Sequence, residues 1–211
     1  MLKPSESVGA PESFREGTHT FIFKHGTPAA EIDSKIWIAY RSGSREALDL
    51  LMEKHSRLLF TYASRMTKDH FLVEDCVQDV FVELWNKRDV VSETNNVQLY
   101  LLKCLRRKII RALAIQKRIP YQSLDEDACE NLLEFSTEFR MIQDEQHADR
   151  KRQLKDGLDQ LSKRQREAVF LKFYHHFEYA EIAEAMNLTV KSTYKLIAKS
   201  IETLRQHIKI S

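Results

Sequence analysis

Glycine and proline are scarce in this chain of 211 residues, which has five Gly and four Pro where average usage would give roughly 15 and 11. Most of them lie at one end. Gly9, Gly17, Gly26, Gly43, Pro4, Pro11 and Pro28 precede Ser44, and only Pro120 and Gly157 follow it. Strand-rich folds need glycine for their turns, and phosphate-cradling loops need it for close backbone approach. Neither a G-x-G-x-x-G nor a G-x-x-x-x-G-K-[ST] occurs, which argues against a Rossmann or P-loop nucleotide enzyme. The body is therefore expected to be all-α.

Cysteine is equally sparse. Cys76, Cys104 and Cys129 are odd in number and show no C-x-x-C spacing, so neither a zinc site nor a disulfide framework is indicated. No apolar run approaches the roughly 20 residues of a membrane helix, and the N-terminus lacks the apolar core of a signal peptide. A soluble cytoplasmic protein without membrane insertion is expected. An excess of one charge is missing too: 33 Lys and Arg oppose 31 Asp and Glu, for a formal +2. Distribution, not total charge, must carry the information. The adjacent His175 and His176 are not spaced for one metal face, and no Ser/His/Asp or Cys/His arrangement stands out. No catalytic residue, metal or cofactor is expected.

Residues 1–33 mix Gly, Pro, Ser and charge and read as a disordered tail, with Phe21 to Phe23 docking on the body. Helical periodicity begins at Ser44, where Ala47, Leu48, Leu51, His55, Leu58, Leu59, Tyr62 and Met66 share a face. Further helices are expected from about Leu72 to Trp85 and from about Asn96 to Arg118, the latter ended by Pro120. Residues 119–152 hold nine acids between Asp125 and Asp149 and read as a flexible acidic linker, reaching ~30 Å as a coil and about 110 Å when extended. Residues 153–211 form a second helical unit. The expected architecture is two small helical domains, 34–118 and 153–211, joined by that tether.

Within VEDCVQDVFVELW, Val73, Cys76, Val77, Val80 and Leu84 fall on one helical side and face a core. Asp75, Gln78, Asp79 and Val82 occupy the other, with Phe81 and Trp85 on its shoulder. Carboxylates, an amide and large aromatics together suit a protein interface; the alternative is that the two aromatics pack on a neighbouring helix.

Between Lys103 and Arg118 stand seven Lys or Arg and no acid. With Val97 set at 0°, Lys103, Arg107 and Arg111 make a stripe at about 240 to 320°, with Tyr100 inside it at about 300°. Single-stranded nucleic acid is bound in this way, cations following the phosphates while a ring stacks on an unpaired base. Asn95 and Asn96, just before the helix, could hydrogen-bond a base edge. The alternative is a solvated basic face. Arg106 falls toward the apolar side, with no partner legible in the sequence.

YAEIAEAMNLTVKSTYKLIAKSIETLRQHI has the pattern of a helix-turn-helix. Tyr179, Ile182, Ala183 and Met186 point inward, Asn187 tolerates the left-handed turn, Leu188 plugs the corner and Thr189 caps the next helix. Val190, Thr193, Ile197, Ile201, Leu204 and Ile208 face the core, while Lys191, Ser192, Lys195 and Lys199 form a cationic face of the kind that enters a major groove. Lys191 and Ser192 could reach base edges; Lys195 and Lys199 would hold phosphates.

With HFLVEDCVQDVFVELWNKR followed by LYLLKCLRRKIIRAL, and then LDQLSKRQREAVFLKFYHHFEYAEIAEAMNLTVKSTYKLIAKSIETLR, the chain resembles extracytoplasmic-function bacterial sigma factors, regions two and four in order. The resemblance implies a transcription initiation subunit with two partners, RNA polymerase core, at its clamp and flap, and promoter DNA. It implies that Asp75, Gln78, Asp79, Phe81, Val82 and Trp85 dock on the clamp. Asn95, Asn96 and Tyr100 would lie near an extruded base of the minus-ten element, with Lys103, Arg107 and Arg111 on its backbone. Thr189, Lys191, Ser192, Lys195 and Lys199 would read the minus-thirty-five duplex. An anti-sigma factor wedged between the domains is a further implied partner. The family often has Ala-Arg-Asn where Leu105, Arg106 and Arg107 stand, an acid near Arg111, and Lys-Ser-Arg in place of Tyr194, Lys195 and Leu196, so promoter sequence does not carry over. The alternative is a helix-turn-helix regulator outside the polymerase, which would need a receiver domain that the helical N-terminal half does not suggest. A helical adaptor without a nucleic-acid role would leave both basic arrays unexplained.

Overall fold

The structure is a computed structural model and describes residues 29–119 and 148–207. The expected docking of Phe21 to Phe23, the stop at Pro120 and most of the proposed linker lie outside these residues. The described residues form helices α1 (Ala29–Arg41), α2 (Arg45–Met66), α3 (His70–Asn86), α4 (Val97–Gln116), α5 (Ala148–Asp159), α6 (Lys163–Phe173), α7 (Tyr179–Ala185) and α8 (Val190–His207).

Helix starts fall where a polar side chain can take an otherwise orphaned amide. Ser44 Oγ accepts from Ala47 N at 3.1 Å, Asp69 Oδ1 from Leu72 N at 3.1 Å and Asn96 Oδ1 from Leu99 N at 2.9 Å. Ser162 Oγ accepts from Gln165 N at 3.2 Å and Thr189 Oγ1 from Ser192 N at 3.1 Å. Each such cap contributes about 1 kcal/mol, and together they fix where α2, α3, α4, α6 and α8 begin.

Periodicity from Ser44 onward missed α1. Residues 29–33, assigned to the tail by composition, belong to this helix. Its stripe of Ile36, Trp37, Ala39 and Tyr40 is buried. The Trp37 indole donates to Ser92 O at 3.2 Å, and the Tyr40 hydroxyl donates to Leu84 O, tying α1 to the last turn of α3 and to the loop that follows it. Gly43, with φ of +93°, makes the left-handed turn from α1 into α2 that a side chain would strain.

α2 packs on α1, α3 and α4, completing an N-terminal bundle. The predicted core face of α3 (Val73, Cys76, Val77, Val80 and Leu84) is buried as read from its spacing.

In the C-terminal unit, α8 is the common support on which α5, α6 and α7 rest. A Cβ on Gly157 would lie 3.2 Å from Leu204 Cδ2 and 3.3 Å from His207 Cβ, so the glycine lets α5 approach α8 closely. Asn187 takes a φ of +55° between α7 and α8, as its residue type predicts. Thr193 and Ile197 are buried and Ile201 and Leu204 half-buried, but Val190 is 44% exposed. It was expected in the core; at the first position of α8 it projects beyond the helices beneath. Ile208 lies outside the described residues.

The two units are not held apart. α4 contacts α7, and one apolar cluster continues from Leu51, Leu101 and Leu105 into Phe170, Leu171 and Ile182.

Candidate nucleic-acid interface

The outer face of α3 is built largely as its spacing predicts. Asp75, Gln78 and Asp79 are exposed, and Val82 is 58% exposed, an apolar side chain left among polar ones. Phe81 departs from its expected place. At 3% exposure it is a core residue, because α3 is gripped by α2 on one side and α4 on the other and so buries a wider arc than one contact face. Trp85 is half-buried, with the guanidinium of Arg88 4.7 Å and that of Arg45 5.9 Å from its ring centroid.

Across from this face, α4 presents the predicted basic stripe. Arg107 and Arg111 are exposed, while Lys103 and Tyr100 are half-buried. Tyr100 meets Trp37 edge-on, with ring centroids 5.2 Å apart at 67°, and burial pushes its phenol up to about 12, so it stays protonated at physiological pH. The ring therefore stands on a rigid aromatic support. Asn95 is exposed; Asn96 is committed to capping α4 and has only its amide Nδ2 to offer elsewhere.

A groove of about 510 Å³ separates α3 from α4, lined by Asp79 and Glu83 on one wall and Tyr100, Arg107 and Arg111 on the other. Lys108 bridges the walls, with Nζ 2.8 Å from Glu83 and 3.6 Å from Asp79. Hydrogen bonds from Lys108 and Lys87 lower the Glu83 carboxyl to about 2. Sequence reading overlooked Lys108, although it lies in the same cation-rich run.

On α8, Lys191, Ser192, Lys195 and Lys199 are all exposed, and the helix N-terminus beside Lys191 and Ser192 is favourable to anions. Thr189 caps α8 and donates its hydroxyl to Ser192 Oγ at 2.8 Å, so these two side chains first serve the turn. Tyr194 stacks on Tyr179, centroids 3.9 Å apart, a pairing between two helices that spacing within either one does not reveal. The chain thus carries two basic helical faces, one beside an aromatic and one on a helix-turn-helix.

Residues 51–119 match the Sigma-70 region 2 family, and residues 151–204 match Sigma-70, region 4. The chain is a sigma factor of the extracytoplasmic-function type. Sigma factors bind RNA polymerase core and promoter DNA to direct promoter-specific transcription initiation, so this chain is not an enzyme and its helix-turn-helix does not belong to a regulator outside the polymerase. Its fold is similar to that of CnrH in complex with the cytosolic domain of CnrY, with 19% identity, 82% of this chain and 95% of that chain covered, and a TM-score of 0.53. It also matches the sigma factor RpoE in complex with the anti-sigma factor NepR from Bartonella quintana, with 20% identity, 77% and 97% covered, and a TM-score of 0.49. No curated protein matches the chain. Among the described residues no helix is long and apolar enough to cross a membrane.

In this sigma factor, three carboxylates of the region-four unit reach residues of region two. Glu167 of α6, only 2% exposed, accepts from Arg106 Nε at 2.9 Å and from the Tyr62 hydroxyl. Burial, then the charge of Glu167, pushes the Tyr62 phenol well above its ordinary value. Glu184 takes Lys103 Nζ at 2.6 Å, and Glu181 accepts from Asn96 Nδ2. Arg106, unexplained on its apolar face, finds its reason here. Neither Glu181 nor Glu184 carried a signal in the sequence, because their spacing marks only the outer side of a short helix.

Proposed function

We propose that region two, residues 34–118, docks on the polymerase clamp through Asp75, Gln78, Asp79, Val82 and the exposed part of Trp85. The loop before α4, with Asn95 and the Asn96 amide, and Tyr100 in the first turn of α4 take an unpaired base of the minus-ten element, and Lys103, Arg107 and Arg111 hold its backbone. Region four, residues 153–211, reads the minus-thirty-five duplex with Lys191, Ser192, Lys195 and Lys199 while Thr189 fixes the start of the recognition helix. Residues 119–152, acidic in sequence, would be repelled by DNA and thread a basic channel of the polymerase. The protein works in the cytoplasm, and an anti-sigma factor is a further partner, as the family resemblance implies.

One observation carries this reading: exposed Arg107 and Arg111 beside a supported Tyr100 on one unit, and exposed Lys191, Lys195 and Lys199 on the other. The first pairs cations with a stacking ring, as unpaired DNA requires; the second offers cations without one, as duplex requires. Binding energy spent on the extruded base offsets unpairing, a few kcal/mol per base. Promoter-dependent transcription with purified core polymerase, with and without this protein, tests it. Specific initiation should appear only when the protein is added, and no gain would reject the reading.

A further inference from the structure

We infer that Val190, Tyr194 and Ala198 of α8 read the C5-methyl groups of thymines in the minus-thirty-five duplex and so set which promoters the protein selects. The inference deepens the reading of α8 as the duplex-reading helix and rests on it. At about 100° per residue, with Lys191 at 0°, Lys195 and Lys199 complete a basic row at about 40 and 80°, and Val190, Tyr194 and Ala198 make a second row at about 260, 300 and 340°. The buried Thr193, Ile197 and Ser200 lie at about 180 to 240°. Val190 is 44% and Tyr194 53% exposed, and Ala198 is exposed as well. The second row is therefore not core. It runs beside the lysines over the same two turns, on the side where Tyr194 meets Tyr179 of α7.

Tyr194 is fixed in its place. The two tyrosine rings stack with 3.9 Å between centroids and 17° between planes, and Lys172 Nζ lies 4.8 Å from the Tyr179 centroid while donating to Phe177 O at 3.0 Å. A ring held in this way loses little further freedom on binding. In a helix-turn-helix the first helix crosses the DNA backbone as the second enters the major groove, so a row between α7 and the lysines faces the groove. The thymine C5-methyl is the apolar group that the groove displays, and apolar side chains recognise it. Phosphate contacts from lysines carry no sequence information; an apolar row on thymine methyls does. Three exposed lysines alongside make a polyanion the fitting occupant of this face.

The test uses the full chain bound to core polymerase. Selection from a randomised duplex pool gives its upstream element. Competition binding then compares that duplex with copies in which each thymine of the element, on either strand, is replaced by deoxyuridine, which removes the methyl and keeps the base pair. At one or more positions the parent is expected to lose about four-fold in affinity, the factor that burial of one methyl group gives. Val190→Ala combined with Tyr194→Ala should bind the thymine duplex more weakly and hold thymine and deoxyuridine copies within about 1.5-fold of each other. Val190→Ser alone, which leaves the tyrosine stack in place, should lower the ratio at its own position. Lys195→Ala should weaken both copies alike and keep the parent ratio. An element selected without thymine, or a parent indifferent to deoxyuridine throughout, would overturn the proposal whatever the variants do. So would a double variant that binds more weakly yet keeps the parent ratio, the result expected if the row packs against polymerase. Failure to select any upstream element rejects the duplex-reading assignment itself, whereas a selected element without methyl discrimination rejects only the role of this row.

Discussion

Arg106 and Glu167 lie 61 positions apart in sequence and meet with Nε 2.9 Å from Oε1, the carboxylate almost fully buried and also bound by the Tyr62 hydroxyl. Each charge sits on an otherwise apolar helical face, and each is compensated by the other.

The pair should show strong energetic coupling. Removing one partner of a buried pair typically costs about 3–5 kcal/mol, but the Arg106 side chain keeps 16% exposure, so Glu167→Ala should lose less. Chemical denaturation of Arg106→Ala, Glu167→Ala and the double variant should give a coupling of about 1–3 kcal/mol. Additive losses would show that the pair contributes nothing as a unit.

That pair also marks the boundary of what was legible in the sequence. Local periodicity told the buried face of α3 from its outer face, Asn187 marked the turn, and the lysines of α8 were read as exposed, because each depends on spacing within one helix. Phe81 was misplaced because its burial depends on a second neighbour of α3, which no single-helix projection contains. α1 went unread because its buried stripe lies beside a stretch dominated by Gly, Pro and charge. The contacts that Glu167, Glu181 and Glu184 make with region two are tertiary, although a lone cation on the apolar face of α4 and a lone acid on α6 were a signal that each needed a partner.

On α3, docking and folding should separate by residue. Val82→Asp places a charge on an exposed site and should leave thermal stability nearly unchanged while weakening core polymerase binding about ten-fold or more. Phe81→Ala empties a core position and should cost about 3–5 kcal/mol of stability. Thermal melts and binding titrations on the same samples check both, and a core-binding loss confined to Phe81→Ala would move the docking face elsewhere.

DNA binding should divide between the units. Lys195→Ala should weaken minus-thirty-five duplex binding and lower the salt slope by about one. Tyr100→Ala should spare the duplex and impair open-complex formation, while Tyr100→Phe, which keeps the ring on Trp37, should retain most activity. Permanganate footprinting reads the open complex, and equal defects in both assays for both positions would sink this division.

Acid should loosen the region-four unit before it affects the α3–α4 groove. Burial lowers the His175 imidazole from its ordinary 6.5 to about 4, helped by the neighbouring His176, and the ring sits edge-on to Phe170 and Tyr174 at 4.8 and 5.0 Å. A group depressed on folding contributes its stability fully above the unfolded value and loses it as pH falls toward the folded one. The His175 contribution is therefore lost between about pH 6.5 and 4. Glu83, lowered from 4.5 to about 2 by Lys108 and Lys87, follows the same rule in the window below 4.5. Urea midpoints at pH 7 and 5 should fall for the parent chain and fall less for His175→Phe, which keeps a ring but cannot titrate. An equal fall in both would assign the pH dependence to other groups.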